Sequence, residues 1–156
     1  MLDAVVEKLL PEAGQKTLET MFFATPDRVS MDPHRPAGEL IAASLTFHGT
    51  PPGRFGLLIS ERLAKTLAEN FTGCDDVAQL LPAQVAGVIG ELANMLCGAV
   101  LTELESNAYF DLSSPETLYV GSGEPDPDLS TGSRYPCRFE FPEGTLVFFF
   151  AFEEPV

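Results

Sequence analysis

A carboxylate and a carboxamide, Glu91 and Asn94, sit three residues apart in a stretch whose small and polar residues recur at helical spacing: Gln84, Gly87, Glu91, Asn94, Gly98, Thr102 and Glu105. Steps of three and four residues gather them into one stripe along a helix, with neighbouring side chains about 5 to 6 Å apart. An amide both donates to and accepts from water, so Asn94 could orient a water molecule without being consumed. A carboxylate one turn away could pair with a cation or take a proton, although an exposed carboxylate is a poor base at neutral pH. The plain alternative is that the stripe is only the solvated side of an amphipathic helix.

The glycines argue against that alternative. A glycine inside a helix costs roughly 1 kcal/mol relative to alanine, yet Gly87 and Gly98 bracket the Glu/Asn pair on the side that should be wet. Their lack of side chains leaves a smooth surface that another backbone can approach closely, either a partner or a different part of this chain. Elsewhere chemistry is sparse. His34 and His48 have no ligand-spaced carboxylate or cysteine beside them and read as surface residues, Ser113-Ser114 lacks the setting of a hydrolase nucleophile, and no metal site or phosphate loop is apparent. Cys97 reads as core, and Tyr109, Tyr119 and Tyr135 as packed on a sheet.

Positioning such a stripe takes a long helix, and Pro82 to about Ser106 supplies it: Pro82 suits the first helical position, and Val85, Val88, Ile89, Leu92, Leu96 and Val100 make a wide apolar back. Leu2 to Phe23 reads as a helix interrupted near Pro11, and Ser60 caps a short helix that Gly73 closes. Glu39 to Phe47 and Arg54 to Ile59 form a hairpin about Thr50-Pro-Pro-Gly53. Tyr109 to Leu112, Thr117 to Gly121, Arg134 to Phe141 and Thr145 to Phe152 read as further strands. Thr25 to Gly38, with Pro26, Pro33 and Pro36, and Gly123 to Ser133 read as loops. The last strand is apolar on both sides, so it lies centrally under helices or has a second side covered by a partner. The order predicts an α+β fold, with helices against a largely antiparallel sheet and a loose duplication of an α-β-β unit, in one domain over residues 1–156.

Composition narrows the partners. With 23 acidic against 9 basic residues the net charge is −14, which repels nucleic acid and anionic lipid. Three scattered cysteines make no disulfide framework and fit a reducing, cytoplasmic setting. No apolar run approaches the ~18 to 20 residues of a membrane span, and the N-terminus, with acidic residues in its apolar stretch and no basic lead, does not read as a secretory signal. Proteins and small molecules remain, a protein partner having to offer positive groups or a metal.

The run Gly90-Glu-Leu-Ala-Asn-Met-Leu-Cys-Gly98, followed by Leu101-Thr-Glu-Leu104, Ser114-Pro115 and Val120-Gly121, resembles the CheC/CheX family of response-regulator phosphatases, with Glu19-Thr-Met-Phe22 similar to the CheX first helix. That family carries Glu-x-x-Asn on a long helix with a proline downstream, here falling on Glu91, Asn94 and Pro115. The resemblance implies a CheC-like fold and hydrolysis of the aspartyl-phosphate of a CheY-like receiver. Asn94 would align the attacking water, Glu91 would pair with the receiver's lysine, and Gly87, Gly98, Gln84, Thr102 and Pro115 would meet the partner. It implies no cofactor of the chain's own, with Mg2+ on the receiver, and a homodimer.

The chain departs from the family in having Gly87 where Asp or Ser usually precedes the Glu by four residues, and in twenty residues between Asn94 and Pro115, slightly fewer than usual. The first helix offers only Glu12-Ala-Gly-Gln15 in place of the second Glu-x-x-Asn of CheC members, so one site per chain is expected, as in CheX. A catalytically silent binding or dimerisation module is the rival reading, for which Gly87 speaks. A small-molecule domain is a third, and would need a deep apolar cavity under the stripe.

Overall fold

In the computed structural model, residues 2–49, 52–74, 80–104, 110–125 and 133–153 are described. Helix α1 spans Leu2–Met21, strands β1 Arg28–Ser30, β2 Leu40–His48 and β3 Gly53–Ser60 follow, then α2 Glu61–Thr72 and α3 Pro82–Leu104, and finally β4 Asp111–Leu112, β5 Glu116–Val120, β6 Ser133–Phe141 and β7 Gly144–Phe152. The strands form one antiparallel sheet in the order β1-β6-β7-β3-β2, with β4 and β5 both pairing β2. The fold is α+β, as expected.

The duplication is fuller than the sequence indicates. Exchanging β1 with β5, β2 with β6, β3 with β7 and α1 with α3 maps the sheet onto itself, so the repeated unit is a helix followed by three strands, with α2 and β4 outside it. The strand missed in the first copy is β1, inside the expected Thr25 to Gly38 loop. Its three residues carry no alternation to read, and only pairing with Glu140, Phe139 and Arg138 of β6 makes it a strand.

Helix α1 also differs from expectation, running through Pro11 without interruption. The proline forfeits one backbone hydrogen bond, but Val6, Leu10, Ala13, Leu18 and Phe22 are all buried along the same helix, and that burial outweighs the roughly 3 kcal/mol penalty. Ser60 occupies the cap position of α2 without capping it: its Oγ accepts from the Thr145 N–H at 2.9 Å and donates to the Thr145 carbonyl, so it ties the helix start to β7. Gly73 closes α2 in the left-handed conformation, its N–H on the Glu69 carbonyl, as its position predicts.

One side of the sheet, carrying Ile41, Leu45, Phe47, Phe55, Leu57, Phe139, Phe148 and Phe150, packs under the helices as the main core. On the other side Leu40, Ala42, Leu58 and Val120 form a smaller buried cluster. Because β1 and β2 are separated by three strands, residues 31–39 must span the sheet, and they are fastened at His34 and Arg35. Arg138 of β6 donates to the His34 carbonyl at 2.7 Å, and Arg35 donates to the Gly121 carbonyl at 2.8 Å and to that of Glu124. Val147, Phe149 and Ala151 of β7 are buried on the second side, and β7 lies centrally between β6 and β3. This resolves its two apolar sides without a partner.

By length and composition α3 would suffice to cross a bilayer, with mean hydropathy 1.6, contrary to the expectation from apolar runs; 61% of that window is buried within the fold, as befits a core helix. Cys97 of α3 and Cys137 of β6 are buried, and burial raises both thiols, Cys137 to about 12. At pH 8 an aromatic disulfide reagent should therefore label the half-buried Cys74 alone, with the other two reacting only after denaturation. Counting released thiolate before and after adding guanidinium, in wild type and Cys74→Ser, checks this.

Candidate functional site

The sequence of α3 dictates its rotation. Val85, Val88, Ile89, Leu92, Ala93, Leu96, Cys97 and Val100 are buried against α1, α2 and the sheet, which turns the intervening stripe outward. Gln84, Gly87, Glu91, Asn94 and Thr102 are exposed and Gly98 is half-buried; Glu105 lies outside the described residues. A Cβ built on Gly87 or on Gly98 meets nothing within 4 Å, so no other part of the described chain packs on either glycine. Glu91 and Asn94 thus project together from an open, bare stretch of helix.

Gly90, buried beside this pair, has a different use that the sequence reading missed. A Cβ there would lie 3.4 Å from Cγ of Pro115 and 3.5 Å from Cγ2 of Thr117, so the β4–β5 connection rests directly on the helix at this point. Pro115, half-buried, becomes a wall next to Glu91 rather than a free surface residue. The available signal was a third glycine in α3, off the polar stripe and on the buried side.

Gln84 is exposed but partly committed. Its Oε1 accepts the Leu81 N–H at 2.7 Å, so it caps the start of α3 and leaves its amide nitrogen and one oxygen lone pair for a partner. Tyr119 fastens the same helix end, donating from its hydroxyl to the Pro82 carbonyl at 2.7 Å. Partial burial, and then the Glu61 carboxylate, raise the Tyr119 phenol, with Lys65 opposing. Only the neutral phenol donates, so this contribution is full below the ordinary tyrosine range near pH 10 and is lost as pH rises through the raised value. Tyr119→Phe should cost about 0.5 kcal/mol at pH 7, the low end for a hydrogen bond at a partly exposed site, and the gap from wild type should close above about pH 10. Urea denaturation at both pH values measures it.

On α1, Gln15 donates its amide to Glu19 at 2.9 Å, which occupies the group that would have to orient a water in a second site. His34 pairs through Nδ1 with Asp32 at 2.5 Å, a neighbour the sequence reading did not credit; its backbone N–H and then its ring hold the exposed Asp32 carboxyl below the usual range. No group of three or more potential metal ligands occurs among the described residues. Two open clefts, one at the start of α2 and one between β2, β3 and the β4–β5 segment, contain no stripe residue, so neither is the apolar cavity a small-molecule reading of this face requires.

No curated relative matches the sequence. Among solved structures the fold resembles a chemotaxis protein of Desulfovibrio vulgaris Hildenborough (TM-score 0.76, 22% identity, 95% of this chain and 96% of that one) and the chemotaxis protein CheX of Vibrio vulnificus (0.72, 22%, 94% and 95%). It also resembles CheX of Borrelia burgdorferi, solved in a CheX-CheY-BeF3-Mg complex (0.71, 15%, 94% and 97%). Residues 41–137, from β2 through α3 into β6, match the family described as chemotaxis phosphatase CheX. With more than half its length inside that match, the chain belongs to the CheX family of chemotaxis phosphatases.

Proposed function

We propose that this chain accelerates hydrolysis of the aspartyl-phosphate on a CheY-like receiver by inserting Glu91 and Asn94 into the receiver's active site. One observation carries the reading: the acid and the amide stand exposed side by side on α3, between two glycines over which the described chain leaves open space. Asn94 aligns a water for in-line attack on phosphorus, and the Glu91 carboxylate pairs with the receiver's lysine, fixing the register of the two proteins. The chain brings no metal, and the receiver's Mg2+ offsets phosphoryl charge. A partner presenting a lysine and a metal also suits a chain of net charge −14.

Two further expectations accompany this: a homodimer, and a cytoplasmic location alongside the receiver. Mixing the protein with phosphorylated receiver and Mg2+ tests the activity, which should shorten the phosphoryl lifetime in proportion to the protein added. An unchanged lifetime with intact binding would instead support the silent binding module, the reading favoured by the bare Gly87.

A further inference from the structure

Beside the β4–β5 connection, Ser44 and Thr46 of β2, Arg54 of β3, and Ser113, Ser114 and Glu116 line an open cleft of about 430 Å³. The register sets Arg54 opposite Thr46 and Ser44 opposite Glu116, so these groups converge from three strands. Four cationic residues are half-buried among the described ones. Lys65 pairs with Glu61, Arg138 binds Glu140 and the His34 carbonyl, and Arg35 binds two carbonyls. The Arg54 side chain alone has no ion pair or hydrogen bond among the described residues, in a chain rich in carboxylates. A guanidinium drawn partly out of water without acceptors loses hydration for no return, which points to an acceptor supplied from outside.

The surrounding groups describe that acceptor. Ser113 is committed, its Oγ accepting the Thr46 N–H at 2.9 Å and donating toward the Ser114 carbonyl, while the hydroxyls of Ser44, Thr46 and Ser114 have no partner among the described residues. A planar fork of donors beside three hydroxyls matches a small oxyanion. Glu116 on the same wall disfavours a second negative charge. We infer that this cleft binds a small carboxylate-bearing ligand, held by Arg54 and these hydroxyls, in preference to a phosphate dianion. The ligand would bridge β3 to the segment leading into Pro115, which rests on Gly90 beside Glu91.

Titrating the full chain with acetate, and separately with inorganic phosphate at constant ionic strength, tests this by 1H–15N spectra. Acetate should give saturable shifts at the Thr46, Ser113 and Ser114 amides and bind more tightly than phosphate at pH 7.5. Arg54→Gln should weaken acetate at least tenfold, Arg54→Lys should keep the charge and lose only part of that affinity, and Glu116→Gln should erase the preference over phosphate. Shifts that never saturate, or that persist unchanged in both Arg54 variants, overturn the site, and tighter phosphate in wild type overturns the assignment of its ligand. These readouts involve no receiver, so they stand or fall apart from the phosphatase activity.

Discussion

Asn94→Ala is expected to slow receiver dephosphorylation by about two orders of magnitude while changing receiver affinity by less than about threefold. The size follows from what the amide does. Holding a water in line with the scissile bond is worth several kcal/mol of barrier, and about 2.7 kcal/mol is a hundredfold. The Asn94 side chain is exposed and makes no hydrogen bond within the described chain, so removing it leaves no buried group unsatisfied and should shift stability by no more than about 0.5 kcal/mol. Glu91→Ala should behave differently, weakening binding and turnover together, because the lost ion pair with the receiver's lysine acts in the encounter as well as in the reacting complex. Single-turnover decay of phosphorylated receiver at saturating and subsaturating protein separates the two. A variant lacking Asn94 that turns over at the wild-type rate would remove the amide from the mechanism.

How much of this could be read without coordinates depended on whether a residue's environment is set locally. The α3 stripe and its apolar back were legible because helical periodicity alone fixes which side is buried, and Gly73, the β2–β3 hairpin and β7 were legible for similar local reasons. What escaped depends on partners distant in sequence. β1 exists by virtue of β6, the Ser60 hydroxyl serves Thr145 instead of its own helix, and Pro11 stays helical because the residues around it are buried by other elements. The second side of β7 is the clearest case. Its apolar pattern demanded a cover, but only the strand order shows that β7 lies centrally and that a proline-bearing connection, pinned by Arg35 and Arg138, spans the sheet. The candidate site divides in the same way: the shared exposure of Glu91 and Asn94 was readable from spacing, whereas the seating of Pro115 on Gly90 was not.

The glycines give the second large effect, and its sign is informative. In an ordinary solvated helix face, replacing Gly87 or Gly98 with alanine improves helix propensity by roughly 0.5 to 1 kcal/mol, and because a Cβ at either position meets nothing within 4 Å, neither change should cost packing. Each should raise Tm by about 1 to 4 °C. If the bare surface exists so that the receiver can approach, the same substitutions should weaken receiver binding, modestly for alanine and by about a hundredfold or more for Gly87→Leu and Gly98→Leu, whose side chains hold the partner off Glu91 and Asn94. Gain in stability joined to loss of function marks a surface kept smooth against the helix's own preference. Gly90 supplies the contrast. Gly90→Ala should be tolerated at contacts of 3.4 and 3.5 Å, but Gly90→Leu should destabilise the fold by pushing Pro115 away. Thermal denaturation and receiver titration on the same six variants decide the matter, and leucine at positions 87 and 98 that binds and dephosphorylates like wild type would move the docking surface off α3.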